Sequence, residues 1–387
     1  MRKRFRLIVF LLSTLVVLAA IAGTVFLVHS YLELQAQIRY EEALARQQVV
    51  ADILEDFEVR SPWLLPVIDP PSDATPAVID FTFMGQEHSI QAQANPRIYY
   101  GAKKADRMQL WDDLWFQDGT FNMDRLNELY YNALAFEPQM DHAIESVLVQ
   151  LREIRDERNL SNDEYIELIV KYVQSIPYCY VHGTTDPVRP VGCPRTPIQT
   201  LVDGTGDCDE TGMLMAVLLH REGFPVSLLL FEEEWHVAVG LRIEGEGFRE
   251  TGYAFIEPTI FAYISDVPTG FGPDGDIDLE SMPIVLSMGE EIENPMPYFS
   301  EEALAEIARI IDVRDRAEAA ANRLRHHIER TPMSLAEFNR QRARHDACFV
   351  VLNRFQGVEP CPRGSINTNF MDRREAIEWI NRNAWWE

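Results

Sequence analysis

Cys208 stands in the stretch GDCDETGMLMAVLLHREG (206–223), where an acidic, glycine-flanked loop passes into an apolar run. That run carries Met213, Leu214, Met215, Val217, Leu218 and Leu219 and stops at Gly223 and Pro225, so the pattern predicts a helix that begins near Cys208. The unpaired N–H groups and the dipole of such a helix start favour a thiolate, the nucleophilic form of cysteine. His236 opens the apolar segment HVAVGLRI (236–243) directly after FEEEW. A thiol needs a base within hydrogen-bond reach, and an imidazole is the usual one. Glu257 lies in the next apolar segment, YAFIEPT (253–259). A buried carboxylate needs a partner because an unpaired charge is costly, and a carboxylate on an imidazole also fixes its tautomer. Taken singly, Cys208 reads as packing beside an apolar run and His236 as a surface residue after an acidic turn. In the order nucleophile, base, orienter they form a candidate Cys-His-Glu triad.

Five neighbours enter the same constellation. The Cys208 N–H at the helix start is a candidate oxyanion donor. The Gln199 side-chain amide is a second candidate, against the plainer reading of a loop glutamine. Trp235 reads either as a roof that keeps water from the cleft or as ordinary packing. Asp207 and Asp209 flank the thiol and are expected to cap the helix rather than to move protons. Gly206 is expected to allow the tight turn into the helix.

The elements that must hold these residues read as an α+β domain. VSLLLF (226–231), HVAVGLRI and YAFIEPT are three strand candidates separated by acidic or glycine-rich turns, which predicts a helix packed on an antiparallel sheet. AVIDFTFMGQEHSIQAQA reads as a hairpin around Gly85. Helices are expected from about Met123 to Ser175, with Asp124 and the Ser161/Glu164 capping box as starts. A long loop is expected from Pro177 to Thr205 and another from Asp266 to Asp278. Helices return from Ser300 to the end, broken around GVEPCPRGSINTNF.

The first thirty residues bear on the compartment. MRKRFR precedes an uncharged apolar run from Leu7 to Val28, long enough for the roughly 20 residues that a membrane helix needs. Ala20 and Ala22 offer a small-x-small cleavage pattern, but the apolar run continues past them, which favours an uncleaved anchor over a signal peptide. The basic flank belongs on the cytoplasmic side, so the main domain is expected outside, in a single-pass arrangement. Residues 1–30 thus read as flank and anchor, 31–60 as a helical stalk, and 61–77, with five prolines in SPWLLPVIDPPSDATPAV, as a linker. Residues 78–298 read as the main domain and 299–387 as a helical accessory domain.

Charge and cysteines narrow the classes further. The net charge of -26, from 61 acidic and 35 basic residues, argues against nucleic acid as a partner. Lysine occurs only at 3, 103, 104 and 171, and such an acid-rich, lysine-poor chain fits a salty environment, as it also fits a coding bias toward arginine. Of five cysteines, Cys179 with Cys193 and Cys348 with Cys361 bracket loops that a disulfide would restrain by roughly 3 kcal/mol each. That pairing leaves Cys208 over, although spacing alone does not fix connectivity. No CxxC occurs and the nine histidines are scattered, with His326 and His327 adjacent, so neither a metal nor another cofactor is expected.

TPIQTLVDGTGDCDETGMLMAVLLHREGFPVSLLLF, HVAVGL and GYAFIEPT resemble the three signature segments of the transglutaminase-like superfamily, most of all its membrane-anchored archaeal and bacterial members. The likeness runs from about Ser161 to Thr259. It is weaker from Val78 to Met123, through FTFMGQEHSIQ and RIYYGAK, and in all spans roughly half the chain. The resemblance implies a papain-like core with the nucleophile at Cys208, the base at His236 and the acidic third member at Glu257. Eukaryotic-type members usually carry Asp there, so Glu257 departs from them. The implied chemistry is acyl transfer from a protein or peptide amide through a thioester, to an amine or to water. It does not extend to the calcium sites of animal members, which have no match here. Peptide-bond hydrolysis by a cysteine protease or amidase is the alternative chemistry, and a non-catalytic envelope scaffold the alternative class. Self-association stays open.

Overall fold

Strict alternation shapes the first element. In VIDFTF every second side chain is buried, and this strand, β1 (Val78–Phe83), pairs antiparallel with β2 (Gln86–Gln91) from Val78↔Gln91 to Phe83↔Gln86. The computed structural model describes residues 70–104, 131–179, 194–269, 278–357 and 369–383. The chain divides into two units, 1–60 and 61–387, and everything described belongs to the second. The expected anchor, the stalk and most of the linker therefore lie outside the described residues, as does the helix start at Asp124. No described helix is long and apolar enough to cross a membrane.

A short helix, α1 (Pro96–Lys104), follows the hairpin, and α2 (Asp141–Arg158) and α3 (Asn162–Gln174) come after it. The chain reverses between α2 and α3 through Asn159, which takes the left-handed conformation that asparagine tolerates. The Ser161/Glu164 capping box forms: Ser161 Oγ accepts from the Glu164 N–H and Glu164 Oε2 accepts from the Ser161 N–H at 2.9 Å. From Glu164 to Gln174 nearly every α3 residue is buried, making it a central helix. The stretch expected as loop from Pro177 to Thr205 contains α4 (Pro197–Asp203). Proline in its first turn and left-handed Gly204 just past its end are the usual limits of a short helix.

α5 (Cys208–Arg221) packs on α3, α4 and the sheet, and Met213 to Leu219 are at most 1% exposed. The sheet runs β5 (Tyr253–Ile256), β4 (His236–Arg242), β3 (Val226–Phe231), β6 (Ile284–Met288), antiparallel throughout. Its central strands read as continuous apolar runs because both faces are covered. α5 reaches Leu228 and Val237 on one side, and Phe231, Ala238, Phe255 and Leu279 cluster together. β6 was not foreseen. With the hairpin and helices it makes the described unit a mixed α+β structure.

Beyond Ser300 the expected helices form: α6 (Glu301–Arg330), α7 (Leu335–Phe355) and α8 (Arg373–Arg382). α6 buries Ala303, Ile307, Ile310, Val313, Ala317 and Ala321, spaced by three or four, and packs on α7 and α8. Polar contacts tie this region to the rest: Ser300 Oγ to Asp163 Oδ2 at 2.6 Å, Arg373 to Glu167 at 2.6 Å, and Arg314 to Asp266 at 2.5 Å.

Candidate active site

Asp207 makes the helix start at Cys208. Its carboxylate accepts from the Glu210 N–H at 3.2 Å, and Glu210 Oε2 accepts from the Asp207 N–H at 3.2 Å, a capping box that fixes the first turn of α5. Glu210 has no exposed surface, and Arg195 neutralises it through two guanidinium contacts at 2.7 and 2.9 Å. The same guanidinium donates to the Thr205 carbonyl at 2.7 Å and to Asp203 at 3.0 Å, so one buried cation staples the segment before Cys208 to the helix after it. No pattern in the sequence singles out Arg195. The signal for such a cation is Glu210, a carboxylate in the first turn of a helix too apolar to leave it in water.

Gly206 serves this turn by its size, not by its backbone freedom. A Cβ there would lie 2.9 Å from Thr211 Cγ2 and 3.3 Å from Thr200 Cγ2. One turn beyond Cys208, Gly212 faces Val237 and Pro258, at 3.5 and 3.9 Å from where its Cβ would be. Residues four apart share a helix face, so Cys208 looks toward the same region of the sheet. There β5 parts from β4, since their ladder ends at Ile256↔Val239. The Val237 N–H, beyond that last pair, lies on the Cys208 side and favours negative charge on its sulfur.

His236 and Glu257 meet at this opening. His236 Nε2 and Glu257 Oε2 are 2.9 Å apart, and Glu257 is completely buried. Glu257 does not lie inside the strand, as its apolar setting suggested, but one residue past the end of β5. Pro258 has no N–H to continue a ladder, and Glu257 Oε1 instead accepts from the Thr259 N–H at 2.9 Å and from the Thr259 hydroxyl. The main-chain carbonyl of Glu257 accepts from Gln174 Nε2 at 2.8 Å. Three donors thus compensate the buried carboxylate, and the imidazole is one of them.

The electrostatics of Cys208 overturn one expectation. Burial pushes its thiol well above the usual range, and Asp209, Asp207 and Glu257 push the same way; the Val237 N–H pulls against them. The helix start does not leave a resting thiolate, because burial, and after it the neighbouring acids, disfavour charge on sulfur. Asp209 is not idle, since it accepts from the buried Tyr131 hydroxyl at 2.9 Å. The Cys208 N–H, as that of the first helical residue, has no intrahelical acceptor, which suits an oxyanion donor.

Gln199 and Trp235 each carried two readings from the sequence. Gln199 Oε1 accepts from the Thr196 N–H at 3.0 Å and its hydroxyl at 3.1 Å, so this carbonyl caps α4. Trp235 is 89% exposed, at a left-handed φ of 53° in the turn between β3 and β4. That turn is pinned by Glu234, whose Oε1 accepts from the N–H groups of Glu280 and Ser281 at 2.7 Å each. Cys179, Cys208 and Cys348 form no disulfide among the described residues, and Cys193 and Cys361, the expected partners of Cys179 and Cys348, lie outside them. Compared with known proteins, the chain matches no family model, no curated protein and no solved structure.

Proposed function

We propose that this chain is a membrane-anchored, extracytoplasmic thiol acyltransferase with a transglutaminase-like, papain-like core. In this reading Cys208 attacks the carbonyl carbon of a protein or peptide amide while its proton passes to His236. The tetrahedral adduct collapses to a thioester as His236 returns that proton to the departing amine. An amine or water then attacks the thioester, His236 takes the incoming proton, and the thiol is restored. Glu257 holds one imidazole tautomer and stabilises the imidazolium that forms. The Cys208 N–H faces the developing oxyanion.

The observation that carries the reading is the buried His236–Glu257 hydrogen bond, set where α5 brings Cys208 to the Val237 N–H. A glutamate with no exposed surface, satisfied by an imidazole and within electrostatic reach of a buried thiol, is a costly arrangement for packing alone. The raised thiol fits a mechanism in which proton transfer accompanies attack, since the resting group is neutral.

The test uses the full-length protein in detergent. A labelled primary amine is offered with a glutamine-bearing peptide, and release of product is followed in parallel without the amine. Turnover in either arm that vanishes in Cys208→Ala supports the reading, and the arm that responds names the acceptor. A folded protein that turns over neither substrate, with Cys208 no more reactive than a denatured thiol, returns the chain to the scaffold class. Surface protease accessibility in cells tests the location; a protected main domain would place it inside.

A further inference from the structure

We propose that Gln174 is a positioning residue of the Cys-His-Glu site, acting through the main chain of Glu257. The inference rests on the reading of that site as catalytic. Glu257 stands one residue beyond the last ladder pair of β5, followed by Pro258, so the sheet does not fix its backbone. Gln174 does. It is the last residue of α3, only 1% exposed, and its Nε2 donates to the Glu257 carbonyl at 2.8 Å and to the Ala262 carbonyl at 3.1 Å. One amide group thereby closes the turn 257–262 as a fork, taking over the part that ladder hydrogen bonds play in a strand.

The helix that bears the fork is itself rigid. The capping box holds its start, and most of its length is buried. One turn before Gln174, the Lys171 ammonium lies 4.0 Å from the centroid of the Phe261 ring, so α3 grips the same turn at two points. Displacing the fork moves the Glu257 carbonyl, and with it the carboxylate that must meet His236 Nε2. Thr259 moves together with Glu257 and cannot correct the error, because both belong to the turn.

A purely structural role for Gln174 predicts lower stability and an unaltered site. A positioning role predicts that the reactivity of Cys208 changes as it does when Glu257 is altered. The experiment compares Gln174→Met and Gln174→Glu with the wild type as full-length proteins, folding being checked by thermal melting. The readouts are the pH profile of Cys208 alkylation by iodoacetamide and the kcat and KM of the amide reaction. Gln174→Met is expected to lower kcat by about 10- to 10²-fold with little change in KM, as an orientation error of a fraction of an ångström to one ångström does. Its alkylation profile should move toward that of Glu257→Gln. Gln174→Glu is expected to be impaired near neutral pH, where its carboxylate faces two carbonyls, and to recover in part as acid restores a proton to donate.

A folded Gln174→Met with the wild-type profile and kcat, beside a Glu257→Gln that alters both, overturns the inference and leaves the catalytic reading standing. Should Gln174→Met not fold, Gln174→Asn keeps the donor on a shorter arm; an intermediate kcat supports the inference and an unchanged kcat overturns it. If His236→Ala and Glu257→Gln also leave Cys208 unchanged, the catalytic reading itself fails, and the inference with it.

Discussion

At Cys208 two fields oppose each other. The start of α5 favours negative charge on sulfur, an effect of about 0.3–1 kcal/mol where it acts at a surface. Burial comes first against it, then Asp209, Asp207 and Glu257. The sign for any variant follows: removing a carboxylate lets the thiol ionise at lower pH. Asp209→Asn keeps an acceptor for the Tyr131 hydroxyl and removes the charge, so the alkylation of Cys208 should set in at lower pH than in the wild type. An onset at the same or higher pH would show that Asp209 does not act on the sulfur. Glu257→Gln works in two directions. It removes a charge that disfavours the thiolate, yet it also takes from His236 the carboxylate that orients it. Orientation is the larger effect in turnover, and loss of such a carboxylate has cost about 10⁴-fold in the serine-protease case. Here a drop of about 10- to 10³-fold is expected, since a thiol depends on it less, and Cys208→Ala and His236→Ala should cost more. Kinetics of the three variants check the ranking; a folded Glu257→Gln with wild-type turnover would falsify the triad.

The elements that deliver these residues are fastened by buried polar groups rather than by apolar packing alone. Arg195 is the clearest case, with an 11% exposed side chain against a Glu210 side chain that is fully buried. Removing one partner of a buried pair strands the other charge, at about 3–5 kcal/mol. Arg195→Ala should therefore lower the unfolding free energy by that order and depress activity, whereas Arg195→Lys should recover only part, because an ammonium does not reproduce the guanidinium fork. Denaturant titration decides it; a loss below about 1 kcal/mol would class the pair with ordinary surface contacts. This dependence on long-range polar pairing also marks what was legible beforehand. VSLLLF, HVAVGLRI and the 213–219 run are apolar over their whole lengths, so β3, β4 and α5 were readable with their limits nearly right. The capping box at Ser161 and the hairpin at Gly85 rest on neighbours three residues apart or fewer, and they too were visible. Glu257 was visible as a residue but misplaced by one step, because the turn made by Thr259 and Gln174 depends on α3, distant in sequence. The direction of the Cys208 shift was missed because the dipole is a local property and burial is not. α4, β6, Arg195 and Gln174 gave no periodic signal strong enough to separate them from loop.

Across the molecule, charge is distributed unequally between inside and outside, and two conditions probe the two populations. Inside, Glu167 meets Arg373 at 2.6 Å, while Glu167 Oε2 meets no polar partner and burial pushes the carboxyl up to about 7. A carboxyl raised on folding binds its proton more tightly in the native state, so its stabilising contribution is complete below the unfolded value near 4.5 and is lost as pH rises through about 7. Melting temperature should thus decline over that window in the wild type and decline less in Glu167→Gln; parallel curves would mean that Glu167 stays ionised throughout. Outside, the opposite ion balance dominates. The chain carries 61 acidic residues against 35 basic ones, and many of its described basic side chains are engaged in pairs such as Arg340–Glu337 and Arg316–Asp312. The excess carboxylates repel one another, and that repulsion disfavours the compact state. Salt shortens its range from about 10 Å at 0.1 M to about 3 Å at 1 M while barely touching the buried pairs. Raising NaCl from about 0.1 to 1 M should therefore raise the melting temperature, most steeply at first, because the Debye length falls as the inverse square root of ionic strength. Sucrose at matched water activity serves as the control, since it favours compactness without screening charge. A rise with NaCl that sucrose does not reproduce assigns the effect to the acidic surface. A flat or falling curve would mean that the surface carboxylates lie too far apart to destabilise the fold, and it would remove the physical reason for linking this composition to a salty environment.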